Sequence, residues 1–249
     1  MLHLGKTPAR VGAVKFKMRK YLNLSVLPAL PSGDFGHDGL VTTPWNMLGN
    51  DKAGCCVWSG GGHESMLWNA AAGKTITFTD QSTLSDYSAC TGYDPNDPST
   101  DNGTDMQAAA SYRLKTGLLD ADGNRHKIGA YLALDVGNVE EHLYALYLFG
   151  AVGIGINFPD SAMDQFNAGQ PWTVVPGATV SGGHYICGVA RRSSRLVICT
   201  WGAEDPMDDT FLQTYNDESL AYVSAEYLNG GKTLDGFDAE QLNADLAAL

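Results

Sequence analysis

The hydrophobic and polar positions divide the chain in two. In its first half, apolar residues recur at helical spacing. Met66, Leu67, Ala70 and Ala71 in HESMLWNAAAG form such a stripe, which predicts a helix ended by Gly73. TITFTD predicts a short β stretch, and Thr79 or Asp80 then opens another helix. GYDPNDPSTDNGTD is dense in turn formers and reads as a polar loop. MQAAASYRLKTGL predicts an amphipathic helix closed by Gly117. GNVEEHLYALYLFG predicts another, with Asn138 as its N-cap. After that the runs are short and β-rich: AVGIGINF, HYICGVA, RLVICTWG and LAYVSAEYL. They predict a twisted antiparallel sheet or half-barrel. The expected class is α+β. A helical lobe covers about 34–130, a β-rich lobe about 131–230 and a tail 231–249, all preceded by an arm, residues 1–33, with little periodicity.

Composition supports two lobes sharing a core: 249 residues, 44% of them hydrophobic, is enough to bury one. Twenty-nine glycines and ten prolines point to a loop-rich protein and not a helical bundle. No apolar run approaches the ~20 residues of a membrane span. Charges scattered through the opening exclude the apolar stretch of a secretory signal, so a cytoplasmic or virion-associated location is expected. Net charge is −12, but Lys6, Arg10, Lys15, Lys17, Arg19 and Lys20 all precede the first acid, Asp34. This basic arm either lies on the acidic body or docks onto an acidic partner in a larger assembly. The body is too acidic for a nucleic-acid binder.

Chemistry concentrates around GNDKAGCCVWSGGGHE, where Cys55 and Cys56 stand at the change from loop to helix. Five cysteines without a secretory signal are expected to be mostly reduced thiols, and adjacent cysteines rarely bridge each other. Neither CxxC nor HxxxH is present, so no metal is expected, nor any cofactor. A thiol at a helix N-terminus gains from the free N–H groups and the helix dipole, which favour thiolate. It also needs a base and donors for an oxyanion. SGGHY puts His184 at the start of a strand, and Asn50 lies six residues before Cys56. His63 and His142 read as packed helix residues. Glu204, Asp205, Asp208 and Asp209 lack the spacing of a calcium loop and read as a solvated turn.

The order of these pieces resembles the papain-like cysteine peptidases. GCCVW partly matches the C-G-[SA]-C-[WY] signature of that family. SDYSACTGYDPND with DNGTD resembles its Cys-bearing stretch and substrate-binding turn. GAVGIGINF, DQFNAGQPW, GGHYICGVA and CTWGAED resemble the strands and turns that follow, up to the family's NSWG. The resemblance covers about residues 35–230 and extends to papain-like proteins of bacteria and their phages.

The resemblance implies a two-lobe papain-like architecture. It makes Cys56 the nucleophile, His184 the base, and Asn50 with the Cys56 N–H the oxyanion hole. Asn102, Gly103, Thr104 and Gly183 would line the substrate cleft, and Trp201 would shield the His184 side. Cys55 would point away, towards Cys90, whose family counterpart is disulfide-bonded. Three departures stand out. Cys199 occupies the place of the family's His-orienting Asn, which leaves Thr200 to supply a hydroxyl. Asn50 is shorter than the family's Gln. Only about 30 residues precede the resembling region, too few for the usual inhibitory segment. The expected function is a cysteine hydrolase of peptidase or amidase type with a peptide or protein substrate. The alternative is a weak or inactive papain-fold component of a phage particle or other assembly.

Overall fold

In the computed structural model, residues 2–228 other than Val11 and Leu24 are described, with Glu240 and Ala244; most of the expected tail lies outside them. The first lobe begins with a two-residue strand, β1 (Phe35–Gly36), followed by α1 (Cys56–Ala71), α2 (Asp80–Thr91) and α3 (Met106–Lys115). A small hairpin, β2 (Leu118–Leu119) and β3 (Arg125–His126), leads to β4 (Ala130–Ala133). Then come α4 (Val139–Phe149), β5 (Val152–Pro159), α5 (Asp160–Asn167), β6 (Val180–Arg192), β7 (Arg195–Thr200), β8 (Ala203–Met207), α6 (Asp209–Tyr215) and β9 (Asn216–Val223). The expected TITFTD strand does not form. Residues 74–79 run without a ladder, although Thr77 accepts one backbone bond from Ala121 and Phe78 is buried in the core.

Local chemistry sets the helix starts. Thr79 and Ser82 form a reciprocal capping box on α2. Asp105 caps α3, and Asn138 caps α4 through the Glu141 N–H. Helix α1 is buried nearly all round, and its three successive glycines are a matter of clearance. A Cβ on Gly60 would meet the Tyr185 ring at 2.4 Å, one on Gly61 the Leu118 side chain at 2.9 Å, and one on Gly62 the Leu48 side chain at 2.9 Å.

The main sheet runs β4-β9-β5-β6-β7-β8, with antiparallel pairing throughout, and β1 also pairs with β6. It does not close into a barrel. Alternation along β6 sends Tyr185, Cys187 and Val189 to the α1 side and Ile186 to the other. Two cores result. One lies between α1–α3 and the sheet, and the other lies behind it with α4 and α6. The Trp68 indole donates to the Phe149 carbonyl at 2.8 Å, which ties α1 to the end of α4.

The N-terminal arm is part of this body. Met18 and Tyr21, in a single 3₁₀ turn, are buried in the second core, and Ala133 donates to the Phe16 carbonyl at 2.8 Å. Four of its six cations meet the chain's own acids: Lys6 with Asp217, Arg10 with Asp105, Lys17 and Arg19 with Asp135.

Candidate active site

Cys56 is the first residue of α1, and Cys55 is its N-cap. The two thiols face different surroundings. Cys55 Sγ is turned inward, 3.7 Å from the Leu48 carbonyl and 3.6 Å from Ser59 Oγ. Burial pushes both thiols up. Cys56 reaches about 11, against the pull of the Tyr185 and Gly5 N–H groups and of the Lys6 charge. Tyr185 directly follows His184, so β6 brings the histidine's backbone beside the Cys56 thiol.

His184 is fully buried, and its Nε2 lies 2.7 Å from Thr200 Oγ1. Its ring stacks on Trp201 at a centroid distance of 4.3 Å, with Phe158 edge-on at 5.5 Å. Nδ1 has no hydrogen-bond partner. Burial lowers the imidazole pKa to about 3, so the ring is neutral near pH 7. Trp201 holds its place through the two-residue turn between β7 and β8, where Trp201 and Gly202 both have positive φ (46° and 75°). Such a turn suits Asn-Gly, so Trp201 carries backbone strain in exchange for its position over the imidazole.

A length of the chain's own backbone fills the space beside Cys56. Residues His3 to Thr7 run between Gly103–Thr104 on one side and Gly183 on the other. Gly5 and Lys6 donate to the Gly183 carbonyl at 3.2 and 3.0 Å. Thr104 donates to the Gly5 carbonyl at 2.7 Å, and Thr7 donates to the Thr104 carbonyl at 3.0 Å. The fit demands glycine. A Cβ on Gly5 would sit 1.8 Å from the Gly54 carbonyl oxygen, one on Gly103 would sit 2.3 Å from the Gly5 oxygen, and one on Gly183 would sit 2.2 Å from the Lys6 oxygen. The His3 carbonyl accepts from Asn50 Nδ2 at 3.1 Å and from the Trp201 indole at 3.2 Å.

No protein-family model and no curated protein sequence matches the chain. Solved structures do. Xylellain, a cysteine protease from Xylella fastidiosa, superposes with a TM-score of 0.67 at 13% identity, covering 89% of this chain and 96% of that one. Procathepsin L 3 of the Tenebrio molitor larval midgut gives 0.61 at 12%, covering 89% and 77%. The Carica candamarcensis cysteine protease CMS1MS2, in complex with E-64, gives 0.57 at 12%, covering 78% and 99%. The fold is papain-like.

Within this papain-like frame, the structure gathers Asn50, Cys56, Gly103, Thr104, Gly183 and Trp201 around residues 3–7, with His184 and Thr200 joined to each other and stacked behind Trp201. Asn102 differs: its side chain turns back to the Ser99 carbonyl at 3.3 Å, and its neighbours' backbone does the contacting. Cys199, where the resemblance led to the expectation of a His-orienting Asn, lies on the sheet face of Tyr185 and Cys187. Thr200 lies on the opposite face, with His184. Cys55 and Cys90 are both free thiols. Asp208 and Asp209 of the acidic turn pair with Arg195 and Arg191, and Glu204 accepts from the Trp45 indole. His63 and His142 are buried against backbone carbonyls. The sequence reading missed His3, Gly5 and Lys6. A glycine beside a lone lysine in LGKT, ahead of three glycine-bearing loops, was the available signal.

Proposed function

We propose that the chain is a cysteine hydrolase of peptide or amide bonds, held latent by its own residues 3–7. The observation that carries this reading is the peptide segment lying against Cys56 with one carbonyl gripped by Asn50 and Trp201. The cleft already binds an extended peptide by its backbone, and one donor it would need for an oxyanion, Asn50 Nδ2, already holds a carbonyl oxygen.

With the segment displaced, the chemistry follows from the residues. The Cys56 thiol gives its proton to His184 Nδ1, the ring nitrogen that Thr200 leaves free, while Thr200 Oγ1 accepts from Nε2–H. Sγ bonds to the substrate carbonyl carbon. The resulting oxyanion is held by Asn50 Nδ2 and by the Cys56 N–H, one of the first amides of α1 and so without an intrahelical partner. Collapse breaks the C–N bond, and the amine leaves with the proton from His184. Water then hydrolyses the thioester, with His184 as base. In the closed state a thiol near 11 and an imidazole near 3 form no ion pair, so latency is electrostatic as well as steric.

The test is alkylation of Cys56 by iodoacetamide across pH, in the native chain and in Gly5→Val, which removes the clearance beside Gly54. Faster labelling in Gly5→Val that depends on His184, with hydrolysis of unstructured peptides, is expected. Fast labelling without hydrolysis of any peptide or amide would leave the alternative, a binding component of a larger assembly such as a phage particle. Four of the arm's cations are already paired within the chain, which speaks against the arm as that component's docking element.

A further inference from the structure

The backbone bonds that hold residues 3–7 are blind to sequence; in such strand-like binding, side-chain pockets supply selectivity. One side chain of the segment enters a built pocket. Lys6 is wholly buried, with Nζ 2.8 Å from Asp217 Oδ2 and 2.9 Å from the Thr7 carbonyl. The pocket wall is Gly155 on β5, where a Cβ would sit 2.2 Å from Lys6 Cε and 2.7 Å from Met106 Sδ. Beyond it, Gln107 Nε2 donates to Glu218 Oε1 at 2.6 Å, and burial raises the Glu218 carboxyl against the pull of Gln107 and Lys6. Asp217 Oδ1 is buried and accepts no hydrogen bond. When the arm leaves, Asp217 loses its Lys6 counter-ion, and a second acceptor atom stands free beside the first. A partly buried carboxylate that loses its counter-ion favours a cation in its place, so whatever enters next is selected for positive charge.

We propose that the Lys6 pocket, formed by Gly155, Met106 and Asp217, is the main specificity pocket of the cleft and selects peptides with a lysine or arginine within three residues of the bond presented to Cys56. This rests on the hydrolase reading above. The free Oδ1 extends the selection to arginine, whose guanidinium presents two N–H groups to a carboxylate. Gly155 leaves room for the outer stem of a long side chain, since a Cβ there would sit 2.2 Å from Lys6 Cε and 2.8 Å from Lys6 Cδ.

The experiment uses the full chain carrying Gly5→Val and Lys6→Ser, so that neither the arm's backbone nor its own lysine competes. A positional-scanning peptide library, three residues either side of the scissile bond, is assayed for kcat/KM. Lysine and arginine are expected to exceed norleucine about tenfold or more at one position, and Asp217→Asn is expected to erase that ratio. The two peptides are compared on one preparation, so partial unfolding lowers both rates and leaves the ratio intact. Binding is read separately, by anisotropy of labelled lysine and norleucine peptides on the same chain with Cys56→Ser. Hydrolysis without a basic preference, or a preference unchanged by Asp217→Asn, overturns the pocket. Selective binding of the lysine peptide without hydrolysis upholds the pocket and overturns the hydrolase reading.

Discussion

Thr200 Oγ1 lies 2.7 Å from His184 Nε2, and this contact decides which ring nitrogen is free to work. In the arm-displaced Gly5→Val background, Thr200→Val is expected to lower kcat about a hundredfold. That is less than the ~10⁴ lost when a charged orienting group is replaced, because a hydroxyl holds an imidazolium more weakly. Thr200→Ser should restore most of the rate. Steady-state kinetics of the three proteins check this, and equal rates in Val and Ser variants would remove Thr200 from the orienting role.

Cys56 should be nearly inert in the native chain. A thiol at about 11 carries roughly one thiolate in ten thousand at pH 7. Gly5→Val should raise the iodoacetamide rate at pH 7 at least tenfold and expose the 3–10 stretch to limited proteolysis. Peptide mapping after timed labelling reads both effects together.

Gly60→Ala tests the packing of α1. On an open helix, the change to alanine gains about 1 kcal/mol. Here the added methyl meets the Tyr185 ring at 2.4 Å, so a net loss of about 1–3 kcal/mol is expected in urea unfolding.

Glu64 on α1 and Arg113 on α3 form a buried ion pair at 2.6 Å, with the Tyr185 hydroxyl donating to Glu64 and the guanidinium 4.2 Å from the Tyr222 ring centroid. Glu64→Gln leaves the arginine uncompensated and is expected to cost about 3–5 kcal/mol, roughly 10 °C in Tm. Glu64→Gln with Arg113→Met should recover part of the loss, which differential scanning calorimetry would resolve.

Acid sensitivity follows from three buried imidazoles. His63 and His142 are lowered to about 4 and His184 to about 3, each chiefly by burial. Their unfolded value is about 6.5, so between 6.5 and these values the unfolded chain binds more protons. Their contribution is complete above 6.5 and is lost as pH falls, by about 2 kcal/mol per histidine at pH 5. Glu141, Glu204 and Glu218, raised by burial, act in the opposite sense, so a variant comparison is needed. His142→Gln should lessen the loss of stability between pH 6.5 and 5 by about a third of the histidine contribution.

Much of this was legible in the chain because local signals agreed with the fold. Asn138 and Thr79 announce their helices by chemistry that operates within one turn, and alternation in AVGIGINF and HYICGVA survives into β5 and β6. TITFTD shows the limit: alternation makes a strand possible, but a ladder needs a neighbour, and residues 74–79 have none. Position 199 shows another. Counting along the family pattern lands on Cys199, yet strand alternation gives Thr200 the histidine's face. The course of residues 3–7 was illegible because it depends on carbonyls at Gly183 and Thr104, far away in sequence, and on clearances that glycine creates without announcing.

The arm's anchoring has a consequence for any competitor. Thr7 is joined to the buried Met18–Tyr21 turn by a short connection. For so short a tether the local concentration of residues 3–7 at the cleft is about millimolar. A free peptide making identical contacts would therefore have to reach that level to occupy half the sites. Substrates present at micromolar levels prevail only by binding better than the arm does, so the tether sets an affinity threshold that weak ligands do not cross.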